Sequence, residues 1–105
     1  MNLTDMSKIA MSTSRARGKF YADLPDNVEL FFKDLAGEVT EATAAGVLYK
    51  NCNKGDSSKD KLAEELADVI ITTMVISARY EIDLEKAVMD KLAYNIEREN
   101  RKECY

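Results

Sequence analysis

Seven side chains and their spacing raise the question of chemistry. In "AGEVTEATAAG", Glu38 and Glu41 stand three residues apart among Ala, Val, Thr and Gly. In "EELADVIITTMVIS", Glu65 and Asp68 repeat the spacing ahead of a long apolar run. Further on, Lys91 and Asn95 are four apart, with Arg98 three beyond. Four carboxylates in one place repel and raise one another's pKa values unless something cationic joins them. An all-oxygen donor set suits Mg²⁺, with Mn²⁺ as an alternative. A basic and amide-bearing edge would then complement an anion held through the metal, such as a nucleotide polyphosphate. The chain contains no histidine. His-based acid–base catalysis, His-bearing zinc sites and the Glu-x-x-His ligand pairs of di-iron bundles are therefore excluded.

Four helices are expected to position these groups, with no strand-like alternation long enough to compete. The first starts after Thr4, an N-cap candidate, and runs to about Arg17. Pro25 and Asp26 open the second, about Asn27 to Tyr49. The polar "KNCNKGDSS" is a loop. The third helix runs from about Lys59 to Arg79, and Asp83 caps a fourth from about Leu84 to Glu103. The expectation is an all-α single domain spanning residues 1–105, with a central antiparallel hairpin of helices two and three.

Helical phase sharpens this picture. Val28, Phe31, Phe32, Leu35, Val39 and Ala42 make a stripe on the second helix, and Glu38 borders it about 60° from Leu35. In the third helix, Leu62, Leu66, Ile70, Thr73 and Ser77 share a face while Ile71 and Val75 lie nearly opposite. A helix apolar all round is normally enclosed. In the fourth, Leu84, Val88, Leu92 and Ile96 form the stripe, Asn95 falls inside it, and Lys91 and Arg98 flank it. In an antiparallel hairpin both acid pairs lie about 13 to 20 Å from the connecting loop, at similar height.

Each feature also has a plain structural explanation. Acids at i, i+3 usually lie on a solvated helix face. Glu64 and Glu65 near a helix start suit the macrodipole, as basic residues suit its end. A core Asn can fix register. Spacing alone leaves a metal site and solvated acidic faces evenly matched.

Bulk properties set outer limits. With 105 residues, 46% of them hydrophobic, and a net charge of −4, the chain has the composition of a globular domain and no basic face for a nucleic-acid backbone. No apolar run reaches the roughly 20 residues that span a bilayer, and the N-terminus lacks signal-peptide order, so a cytoplasmic protein is expected. Cys52 and Cys104 are expected to be reduced thiols. No role is assigned to Ser12, Thr13 or Ser14.

Taken in order, "LAGEVTEA", "EELADVIITTMVI" and "YEIDLEKAVMDKLAYNIER" resemble the MazG-like branch of the all-α nucleoside triphosphate pyrophosphohydrolases, in particular its small single-domain members, which include dCTP pyrophosphatases. The likeness covers about residues 28 to 100. It implies that Glu38 and Glu41, with Glu65 and Asp68, are Mg²⁺ ligands, and that Lys91 and Asn95, with Arg98, contact the triphosphate. It also implies hydrolysis between the α and β phosphates to a monophosphate and pyrophosphate, with two or more Mg²⁺ ions in the site. A homodimer or homotetramer would complete the bundle. With no histidine, the candidate general base is Glu41 or Glu64. Phe31, Phe32 and the first helix are candidates for lining a base pocket. The chain departs from the pattern at Asp34 and Leu35, where many members carry glutamates, at Thr40, where a small residue is usual, and in having no Trp. These departures bear on base preference. Phosphoribosyl-ATP pyrophosphatase is a weaker match. The alternatives are a non-catalytic helical homodimer and a nucleotide-binding sensor that keeps the fold.

Overall fold

The computed structural model describes residues 1–16 and 28–101, and among them every regular element is helical. The elements are α1 (Leu3–Ala16), α2 (Val28–Asn51), α3 (Asp56–Arg79) and α4 (Leu84–Asn100). Three expectations fall on residues outside those described: the end of α1 at Arg17, the opening of α2 by Pro25 and Asp26, and the state of Cys104. The end of α4, expected at about Glu103, comes earlier, at Asn100, with Arg101 as its C-cap.

The caps explain where the helices begin. The N-cap of α1 is Asn2 and not Thr4: the Asn2 Oδ1 accepts a bond from the Asp5 amide at 2.9 Å, and Thr4 is already helical. Asp83 caps α4 as expected, accepting from the Lys86 amide at 3.0 Å. α3 begins three residues earlier than Lys59, with Asp56 in its first turn, where a carboxylate opposes the positive helix end.

The loop between α2 and α3 is shorter than its polar composition suggests. Helix continues through Asn51, and the chain reverses over residues 52–55. Asn53 and Lys54 take left-handed conformations with φ of 55° and 58°. Amides of Cys52 and Lys54 return to the Leu48 and Tyr49 carbonyls at 2.9 Å, occupying acceptors that a helix end otherwise leaves open.

So short a connection makes α2 and α3 antiparallel, and their register agrees. Gly46 of α2 lies beside Leu62 of α3, while Glu38 lies beside Glu65 and Asp68. Residues eight apart on one helix thus meet residues three to six apart, in reverse order, on the other. Buried Ala42 and Ala45 form the face of α2 toward α3, and their small side chains allow the close approach. α1 packs on α3, and α4 packs on α1, whose Leu3 amide donates to Glu85 of α4 at 3.2 Å. The core lies where α1, α2 and α3 converge: Ala10, Met11, Phe31, Met74, Val75 and Ile76.

Three expectations about stripes are corrected. The α2 stripe is split, with Phe31 and Ala42 buried but Val28, Phe32 and Val39 exposed. In α3 the Leu66–Ile70 side faces outward, and the side turned inward carries Glu65, Val69, Thr72 and Ile76. A helix with apolar residues all round gives no phase preference of its own, so the partner helix decides which side is covered. The α4 stripe is also uncovered: Val88, Leu92 and Ile96 are exposed and no α4 residue is buried.

Candidate metal centre

The hairpin register brings three of the four candidate acids together. Glu38, Glu65 and Asp68 each offer a carboxylate oxygen, and these oxygens lie within 4.8 Å of one another. On α2, Glu38 projects within about 40° of Phe31, Ala42 and Ala45, in the middle of the inward face. Glu41 is rotated about 60° from Glu38, away from that face, and is exposed. It lines a separate shallow depression with Lys33, Asp34 and Glu38.

Glu65 is the innermost member, only 7% exposed. It sits on the α2-facing line of α3 with Thr72 and Ile76, so helix packing itself encloses the carboxylate. Its Oε1 pairs with Lys61 Nζ at 2.8 Å, one turn earlier on the same helix. Its Oε2 is buried with no hydrogen-bond donor in reach. A buried carboxylate oxygen without a donor is costly, and a cation is what such a position accepts. Lys61 shows the same demand from the other side: the hydrogen bond and charge of Glu65 raise its pKa above the usual 10.5, with smaller contributions from Glu64 and Asp68. Glu64 points outward and reaches Lys61 only at 4.0 Å.

The carboxylate group runs from buried Glu65 through half-buried Glu38 to exposed Asp68, and so opens to one side. On that side lies a cavity of about 490 Å³ between α1, α2 and α3, with Asp34, Glu38 and Asp68 on its wall. Asp34 had no part in the sequence-derived site. The signal was its i, i+4 spacing to Glu38, which puts both on one side of α2. The rest of the wall is largely apolar and includes Met6, Ile9, Ile71 and Met74. Phe31 and Phe32 do not line it: Phe31 is a core residue at 1% exposure, edge-on to Tyr80 at 5.7 Å, and Phe32 faces outward. The first helix does line it, through residues that include Thr13 and Ser14.

The basic edge is not among the described residues that line the cavity. Lys91 and Arg98 both approach the Tyr94 ring, at 4.9 and 5.3 Å from its centroid. Asn95 and Arg98 are half-buried and Lys91 is exposed, and none of the three lines the cavity.

Compared with family models, curated proteins and solved structures, the chain matches none. The donor set itself fits a hard divalent cation: it is all carboxylate, converges from two helices, and includes a buried oxygen that no protein group satisfies. No described helix is long and apolar enough to cross a membrane.

Proposed function

We propose that this chain is a Mg²⁺-dependent nucleoside triphosphate pyrophosphohydrolase of the MazG-like all-α type, cleaving the α–β bond to give a monophosphate and pyrophosphate. The observation that carries the reading is the meeting of Glu38, Glu65 and Asp68 across the hairpin, with the Glu65 Oε2 buried and without a donor. These are residues that the sequence motifs single out on independent grounds.

Glu38, Glu65 and Asp68 would hold the cation. When bound, it supplies charge neutralisation at the phosphates and acidifies the attacking water. Glu65, held by helix packing and by Lys61, provides a ligand that needs little reorganisation. Glu41, one turn from Glu38 and open to solvent, is placed to take a proton at the rim of the site. Glu64 is less suited, because it points away from the group.

A second copy belongs to the same reading. The described chain has a radius of gyration of 16.3 Å, against about 13 Å for a compact domain of this length. Val88, Leu92 and Ile96 on α4 and Leu66 and Ile70 on α3 are apolar and uncovered. Covering them with another copy would complete the bundle and bring Lys91, Asn95 and Arg98 to the neighbour's phosphate site.

The test is pyrophosphate release from ribo- and deoxyribonucleoside triphosphates with Mg²⁺ and with EDTA. Mg²⁺-dependent pyrophosphate with a monophosphate co-product is expected, and Asp68→Asn should lower the rate at least a hundredfold with helical content unchanged. Orthophosphate as the product, or near-normal turnover by Asp68→Asn, would overturn the reading. One observation favours a second reading, nucleotide binding without turnover: Glu41 stands outside the carboxylate group. Tight Mg²⁺-dependent nucleotide binding with no product would select it.

A further inference from the structure

The cavity beside the carboxylates contains a group that the proposed chemistry does not use. Ser14 of α1 is 6% exposed, lies on the cavity wall, and its hydroxyl has no hydrogen-bond partner. This sets it apart from its neighbours. Ser7, Thr13, Thr73 and Ser77 each donate to the carbonyl four residues earlier, at 2.9 to 3.0 Å. That bond is the default for a helical hydroxyl without another partner. Ser14 makes no such bond to Ala10, so neither its donor nor its acceptor is used within the fold. A buried hydroxyl left in this state destabilises the fold, and a ligand that supplies the partner recovers the cost on binding.

The surroundings narrow the ligand. At about 490 Å³ the cavity is of ordinary size for a small-molecule site. Among the described residues, its wall carries the acids Asp34, Glu38 and Asp68, with Met6, Ile9, Met74 and Val75 elsewhere, and no Lys or Arg. The interior therefore favours a flat, neutral ring over a phosphate. Methionine sulfur packs well against such a ring. We infer that Ser14 is a specificity-determining residue that reads the hydrogen-bonding edge of a nucleobase in this cavity. The inference takes the identity of the ligand from the pyrophosphohydrolase reading and deepens it, because the acid end would hold the phosphates through the cation while the apolar end takes the base.

The test uses the whole chain with ¹³C-methyl Met and Ile, titrated with the four deoxynucleoside monophosphates in Mg²⁺. Methyl signals of Met6, Ile9, Ile71 and Met74 are expected to shift with the preferred base, while that of Met89 on α4 stays in place. Ser14→Ala should weaken the preferred monophosphate about three- to tenfold and flatten the ranking of bases, as loss of one hydrogen bond does. Its thermal midpoint should be unchanged or higher, whereas a merely structural serine would lower it. Ser14→Thr should keep the ranking. Four unmoved cavity methyls, or an unchanged ranking in Ser14→Ala, would overturn the inference. Pyrophosphate release by the wild type, measured in parallel, separates the two claims. Base-dependent methyl shifts without release would leave Ser14 in its role and remove the hydrolase; release with the cavity methyls unmoved would do the reverse.

Discussion

Glu65 is a carboxylate that helix packing encloses and only half satisfies. Lys61 takes one oxygen and nothing takes the other. Its neutral isostere should therefore fold better and function worse. Glu65→Gln is expected to raise stability in EDTA by about 1 kcal/mol, read as a higher unfolding midpoint. If the carboxylates bind Mg²⁺ as proposed, the ion should stabilise the wild type by about 2.7 kcal/mol at a hundredfold above its dissociation constant, and the variant should lose that stabilisation. A variant that is less stable in EDTA and still stabilised by Mg²⁺ would show Glu65 to be structural. Lys61 would compete with the proposed cation for Glu65. Glu65 raises its pKa above 10.5, so Lys61 keeps the charge that serves the pair below that value and loses it as pH rises through the raised one.

At the scale of elements, the site depends on one register, that of α2 against α3. Gly46 lies at the loop end of their contact, and a methyl group added there would meet only Leu62 Cδ1, at 3.9 Å, an ordinary contact. Gly46→Ala should therefore stabilise the fold by roughly 0.5–1 kcal/mol by removing a helix-interior glycine, with pyrophosphate release intact. A loss of both stability and activity would mean that the helices approach more closely than the register implies. The cap of α4 offers a contrast. Asp83→Ala removes the acceptor for the Lys86 amide and should cost about 1 kcal/mol, visible as a lower denaturation midpoint.

For the whole molecule, the decisive property is the apolar face that the described part of α4 leaves exposed. Ile96 is 63% exposed on a helix with no buried residue, an arrangement that hydrophobic burial disfavours. Leu92→Asp on the same face should convert an oligomer into monomers by light scattering and abolish turnover, since an interfacial charge without a partner is expensive to bury. Placing Lys91 across the interface gives a sharper expectation. Asp68→Asn and Lys91→Ala should each be inactive alone. Co-expressed as a randomly mixed dimer, they should recover about a quarter of wild-type activity, because half of the dimers are mixed and each mixed dimer holds one intact site. No recovery in verified mixed dimers would place Lys91 in the same chain's site.

How much of this the sequence determined follows from the range of the forces involved. Helix count and helix ends are local: Asp83 as a cap could be read from neighbouring residues, because capping involves only one turn of chain. Asn2 was missed in favour of Thr4 because both are good caps and only the Asp5 amide distinguishes them. The pairing of Glu38 with Glu65 and Asp68 was also legible, since a short polar loop forces an antiparallel hairpin and rise per residue then sets the level. Tertiary contact decided the rest. It turned Glu41 to the rim, rotated the Leu66–Ile70 side of α3 outward, and sent Phe31 to the core instead of the cavity. It also put Ser14 on the cavity wall. Ser14 shares a helix face with Leu3, Ser7 and Ala10, but a serine on an apolar face becomes informative only when the structure shows what its hydroxyl does not touch. Local sequence sets where helices start, stop and carry charge, whereas the side of each helix that is buried depends on which neighbour it meets.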